Sequence, residues 1–109
     1  MAWLVRDEQV LATVEVADSL ARRARGLLGR DGIDGAILLP HVRSVHTLGM
    51  RFPIDVAFLD GGWKVVDLTT MGRHRLGRPR FAARRVVEAE AGAFERWRLC
   101  VGDVLELRE

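Results

Sequence analysis

The chain has 109 residues, enough for one domain with a modest hydrophobic core. Hydrophobic residues make up 49% and charged residues 29%, the balance of a folded globular protein, which excludes a disordered chain. Net charge is only +2, and the single cysteine, Cys100, excludes an internal disulfide and any zinc site built from several thiolates of one chain.

The first residues, 1–8, lack a basic start followed by a long apolar run, and no window approaches a membrane span. The expectation is a cytoplasmic protein with no membrane partner. Residues 2–6 form a short apolar run broken by Asp7-Glu8-Gln9. Val10, Ala12, Val14 and Val16 then alternate with Leu11, Thr13 and Glu15, the period of a strand. The two runs predict a hairpin. From residue 18 the period becomes helical. Asp18 is a capping residue, Leu20, Ala24, Leu27 and Leu28 fall on one face, and Gly29 is a natural stop, so the main helix is expected near 18–29. Gly26 inside it is a mild cost that permits close packing against a strand.

Asp31-Gly32 and Asp34-Gly35 are turn signals, and 36–39 is a short apolar strand ended by Pro40. Residues 42–47 read as extended, and 48–53 as a structured loop. Ile54, Val56 and Phe58 mark a buried strand, Asp60-Gly61-Gly62 a tight turn, and 63–68 its partner. Residues 69–80 have no apolar period and read as a long loop. Alternation returns over 85–91. A short helix is expected near 93–99 and a last strand over 104–107. The sum is an α+β, mainly β, single domain over 1–109: a small antiparallel barrel-like sheet with one main helix.

Three sequence markers carry a resemblance. They are Arg25-Gly26-Leu27-Leu28-Gly29-Arg30, the central run over 45–60, and Val87-Glu88-Ala89-Glu90-Ala91-Gly92 followed by Gly102-Asp103. In this order and spacing the chain resembles Domain of Unknown Function family 192, a family of conserved bacterial and archaeal proteins. The resemblance runs from about residue 12 to the end. It implies a compact β-barrel-like fold with flanking helices and no established catalytic residue. Leu28 stands where many members carry methionine, and His46-Thr47 where others often carry aromatic residues.

Polar groups concentrate at the centre of the chain. Arg43, His46, Thr47, Met50, Arg51 and Asp55 are the candidate ligand-binding residues. Histidine exchanges protons near neutral pH, and arginine offers forked donors to a carboxylate or phosphate. The structural reading of the same residues is an internal clamp around Gly49. In it a buried Asp55 needs a partner, with Arg51 the nearest in sequence and Thr47 or backbone amides next. No cofactor is implied. His41, His46, His74, Asp55 and Asp60 form no tight metal signature, so no metal site is assigned. Cys100, between Leu99 and Val101, reads as a core filler.

Sixteen of the seventeen basic residues are arginine, a bias that a GC-rich coding genome explains. One segment stands apart. Arg73, His74, Arg75, Arg78 and Arg80, continued by Arg84 and Arg85, carry no acid among them and create a local positive field. The function expected is a non-enzymatic binding or accessory module. Its surface joins the central loop to this basic loop, and its partner is an anionic small molecule or a protein. Two alternatives remain open. One is a small enzyme using His46 and Asp55, with Arg43 and Arg51 holding substrate. The other is nucleic-acid binding through residues 73–85, whose lone interleaved aromatic is Phe81.

Overall fold

A computed structural model describes residues 1–109. In chain order the elements are β1 (Ala2–Arg6), β2 (Gln9–Val16), α1 (Leu20–Arg25), β3 (Ala36–Pro40), β4 (Ile54–Leu59), β5 (Val65–Met71), β6 (Arg85–Glu90), α2 (Ala93–Arg96) and β7 (Glu106–Arg108). The seven strands form one sheet in the order β5-β4-β6-β3-β2-β1-β7.

The β1–β2 hairpin turns on Asp7 and Glu8, both at positive φ (50° and 65°), with Arg6 opposite Gln9. That left-handed pair matches the twist of the strands it joins. After β2 the chain crosses over through α1 and returns as β3, parallel to β2. A crossover of this length permits a parallel pair where a tight turn would not. The sheet is therefore mixed, not antiparallel throughout.

It is also open, which corrects the barrel-like expectation. The edge strands β5 and β7 do not pair. The segments beside the two edges meet at an isolated bridge between Lys64 and Val104, with the Val65 amide on the Asp103 carbonyl (2.8 Å), the Gly102 amide on the Val65 carbonyl (2.8 Å) and the Leu105 amide on the Trp63 carbonyl (3.0 Å). β7 has three residues, too few to extend this contact into a ladder.

Side chains alternate across the sheet into two cores. Ala36 and Leu38 join Leu4, Ala57, Val87, Ala89 and Phe94 on one face. Ile37 and Leu39 join Leu27, Ile54, Val56, Phe58 and Val86 on the other. All six residues of β4 are buried, so both faces of the sheet centre are covered. Each large apolar side chain so buried contributes roughly 1.5–3 kcal/mol.

Both helices are shorter than the sequence period suggests. α1 has six residues, is capped by Ser19 and not Asp18, and buries none of its own side chains. It stops at Gly26 (φ +51°), and residues 26–29 continue as turns. Glycine suits this position because it lies against the sheet: a Cβ there would stand 3.1 Å from the Glu88 carboxyl and 3.7 Å from Leu39. α2 has four residues. Residues 42–47 form no strand; His46 makes only an isolated bridge to Leu76.

Candidate functional site

The segment between β2 and β3 and the segment between β3 and β4 leave a cleft of about 390 Å³ over one face of the sheet. The first wall is α1 with the turn after it, including Arg23, Gly26 and Leu28. The second wall is the loop between β3 and β4, including His41, Val45 and Met50. Leu39, Ile54 and Glu88 come from β3, β4 and β6. Ten of the seventeen lining residues are hydrophobic. The volume falls within the range of small-molecule sites.

Two ion pairs brace the surroundings. Arg30 donates twice to Glu15 (3.0 and 2.8 Å), tying the α1–β3 connection to β2. Arg51 pairs with Asp31 at 2.9 Å, joining the chain just beyond one wall to the chain just beyond the other. The Arg51 pair is exposed and contributes little to stability by itself.

Glu88 is the unusual group. It is 4% exposed and sits in register between Ile37 of β3 and Val56 of β4, both apolar. It makes no ion pair, and burial alone pushes its carboxyl up to about 7. No buried polar side-chain atom in the structure is sealed without a partner. The Glu88 oxygens therefore open onto the cleft. A protonated carboxyl can donate one hydrogen bond there and accept others.

The other charged or titratable lining groups are all basic residues. Arg23 and Arg25 come from α1, His41 and His46 from the facing loop, and Glu88 is the cleft's one acid. Arg25 is engaged, its Nε donating to the Leu28 carbonyl at 3.2 Å. Leu20 and Leu48 also line the cleft while remaining 76% and 45% exposed, which leaves an apolar rim.

The residues singled out from the sequence divide between this cleft and the framework around it. His46 and Met50 line the cleft. His46 is exposed, and its Nδ1 accepts the Leu48 amide at 3.3 Å. Met50 is buried in the core beneath. Thr47 is fully buried: its hydroxyl donates to the Gly72 carbonyl (2.6 Å) and accepts the Arg75 amide (2.8 Å). Arg43 points elsewhere, donating to the Ala83 carbonyl at 3.2 Å.

Asp55 is not partnered by Arg51. Its Oδ1 accepts the Thr70 hydroxyl at 2.6 Å, and its Oδ2 accepts the amides of Gly92 (2.9 Å) and Phe94 (3.1 Å) at the start of α2. Asp55 alternates with Ile54 and Val56, so it lies on the sheet face opposite the cleft. The sheet thus separates it from His46.

The basic loop is stitched to the central loop. The Thr47 amide donates to Arg75, His74 to Thr47 and Gly77 to Val45, all through the backbone at 2.8–2.9 Å. His74 Nδ1 accepts the Gly49 amide at 3.2 Å. Arg80 is structural: it pairs with Asp67 at 2.8 Å and its guanidinium stacks 4.2 Å over Phe58. Arg73, Arg75 and Arg78 are exposed, and Arg75 and Arg78 flank a shallow polar groove beside β5. No three His, Cys, Asp or Glu side chains gather closely enough to hold a metal ion. Cys100 is exposed, which corrects its reading as a core filler.

Sequence reasoning missed Glu88. Its signal was present in the run Val86-Val87-Glu88-Ala89, an acid inside an otherwise apolar strand. The alternation Val86, Glu88, Glu90 resembles a solvent-facing row, but here Val86 and Glu88 are buried and only Glu90 is exposed.

These features define a small mixed-sheet domain with a ligand-sized cleft on one face. Residues 3–107 match the family DUF192, described as "Uncharacterized ACR, COG1430", and the chain belongs to that family. A UPF0127 protein of Pyrococcus furiosus is 33% identical over 97% of this chain and 96% of its own length. One from Pyrococcus abyssi is 36% identical over 85% of this chain and 84% of its own. Two crystal structures share the fold over 96% of this chain. A protein of unknown function from Novosphingobium aromaticivorans has a TM-score of 0.79 at 18% identity, covering 82% of that chain. A "putative transcription regulator" from Sinorhizobium meliloti has a TM-score of 0.81 at 20% identity, covering 90% of that chain.

Proposed function

We propose that this domain is a non-enzymatic binding module whose ligand is a small molecule held in the cleft between α1 and the sheet. One observation carries the reading: Glu88, largely buried and with no hydrogen-bond or ion-pair partner in the chain, opens its carboxyl into a mainly apolar cleft of ligand size. Burying such a group unpaired is unfavourable for folding, and a ligand that supplies its missing hydrogen bond offsets that penalty. Perturbed acids in clefts are frequent markers of sites. The test is a fragment screen by amide NMR on the ¹⁵N-labelled chain. Saturable shifts should cluster on Gly26, Leu28, His46 and Glu88. A screen that perturbs only residues outside the cleft would overturn the reading.

The enzyme alternative built on His46 and Asp55 is not the one adopted, because the sheet stands between the two side chains. A second reading has its own support. Arg73, Arg75 and Arg78 hold exposed guanidinium groups on a loop without acids, a fit for phosphate. Binding of a labelled single-stranded oligonucleotide, falling steeply with salt and lost in the triple alanine variant, would support it. Binding indifferent to both would exclude it.

A further inference from the structure

The polarity of the cleft limits what it can hold. Its one acid is at Glu88, while its other charged or titratable lining groups are Arg23, Arg25, His41 and His46. Arg23 is half-buried and makes no ion pair or side-chain hydrogen bond within the chain, so its guanidinium is available to an anion. A cationic ligand would face these arginines, whereas an anionic group near them is attracted.

Glu88 sets the requirement at the other end. The sheet neighbours in register with it are Ile37 and Val56, and the turn covering it offers Gly26, with Leu39 beside it. None of these supplies a cation or a hydrogen-bond donor to stabilise a carboxylate. The neutral acid is the form this environment favours, in keeping with a carboxyl raised to about 7. A neutral carboxyl presents an O–H, and the partner it lacks is an acceptor.

Resting on the binding reading above, we infer that the cleft takes a small amphipathic anion. Its carboxylate or phosphate is held by Arg23, its apolar body lies against Leu39 and Ile54, and its other end carries a carbonyl-type oxygen that accepts a hydrogen bond from protonated Glu88. No bond is made or broken. The proton stays on Glu88, and the complex dissociates intact.

The inference predicts a proton linkage. Affinity scales with the fraction of Glu88 in the protonated form and falls about tenfold between pH 6 and pH 8. Glutamine keeps a donor that does not titrate. Glu88→Gln therefore retains binding and loses this part of the pH dependence. Glu88→Leu keeps the fold and removes the donor.

The experiment titrates four matched probes into the intact chain, with binding followed calorimetrically and by amide NMR. 7-Oxooctanoate carries all three features, octanoate lacks the inner acceptor, methyl 7-oxooctanoate lacks the anion, and 8-aminooctanoate replaces the acceptor with a cation. The expected result is tightest cleft binding by 7-oxooctanoate, weakened tenfold or more by Arg23→Ala or Glu88→Leu and preserved by Glu88→Gln. Cleft binding that ignores the ligand's charge, or favours the amine, overturns this ligand class and leaves the binding module standing. Failure of all four probes to perturb the cleft at millimolar concentration overturns the amphipathic-anion class, whereas the binding module itself falls only if the fragment screen also leaves the cleft unperturbed.

Discussion

Gly26 and Glu88 meet face to face: the hydrogen that Gly26 carries in place of a side chain leaves room for the Glu88 carboxyl, which a Cβ would approach to 3.1 Å. The backbone at Gly26 (φ +51°, ψ −123°) is one that side-chain-bearing residues rarely adopt. Gly26→Ala should therefore destabilise the fold by roughly 1–3 kcal/mol, from backbone strain together with crowding of the carboxyl. Urea unfolding of the variant measures this. A change below about 0.5 kcal/mol, the scatter of ordinary surface substitutions, would show that the close approach is not a constraint.

Glu88 gives the fold a pH dependence whose sign is opposite to that of most carboxylates. Its carboxyl stands at about 7 in the folded chain against an ordinary value of 4.5. Below pH 4.5 both folded and unfolded chains hold the proton, and no penalty exists. Between 4.5 and 7 the unfolded chain releases it first, so the unfolded state gains and stability falls as pH rises. Above 7 both are ionised and the full penalty, on the order of 3 kcal/mol, persists. Unfolding free energies at pH 5.5 and pH 8 should show wild type losing more stability than Glu88→Gln over that interval. Equal losses in both proteins would remove Glu88 as the cause.

Much of the framework was legible from period and turn chemistry. The β1–β2 hairpin, the strands around Ile37 and Val56, and the turn at Asp60 follow from alternation and from residues that suit their turns. Gly26 was legible as a close-packing position but not as the end of the helix. The apolar spacing of Leu27 and Leu28 continues past it, and only the positive φ of Gly26 in the folded chain marks where the helix stops. Closure of the sheet was not legible, because whether β5 and β7 pair depends on how far two distant edges run alongside each other. Glu88 was hidden for a related reason: a strand row of Val86, Glu88 and Glu90 faces solvent or a covering segment according to tertiary packing alone. An acid at Asp55 within an apolar strand needs a partner on sequence grounds alone, yet its partners lie at residues 70, 92 and 94, which no local reading brings near it.

Asp55 holds α2 in place from the opposite face. One carboxylate oxygen takes the Thr70 hydroxyl, and the other takes the amides of Gly92 and Phe94. Asp55→Ala removes both acceptor oxygens, and with them all three hydrogen bonds, and leaves the Phe94 amide buried without a partner. The expected loss is about 3 kcal/mol or more, with faster amide exchange over residues 92–97. Asp55→Asn keeps an acceptor for one side and should lose less. Equal stability of Asp55→Ala and wild type would mean that α2 is held by the packing of Phe94 alone.

Thr47 makes the central and basic loops one unit, so its substitution should loosen the basic loop while leaving the sheet intact. The hydroxyl is both donor to Gly72 and acceptor from Arg75. Thr47→Val preserves shape but leaves a carbonyl and an amide short of a partner, a loss of roughly 2 kcal/mol. The consequence is local, because the strands on either side pair independently of this hydroxyl. Amide exchange at Arg75 should speed by about tenfold or more, with smaller increases at His74 and Gly77 and none in β4 or β6. A uniform increase across the whole chain would instead mean that the clamp belongs to the global folding unit, and that the basic loop has no separate freedom for the hydroxyl to restrain.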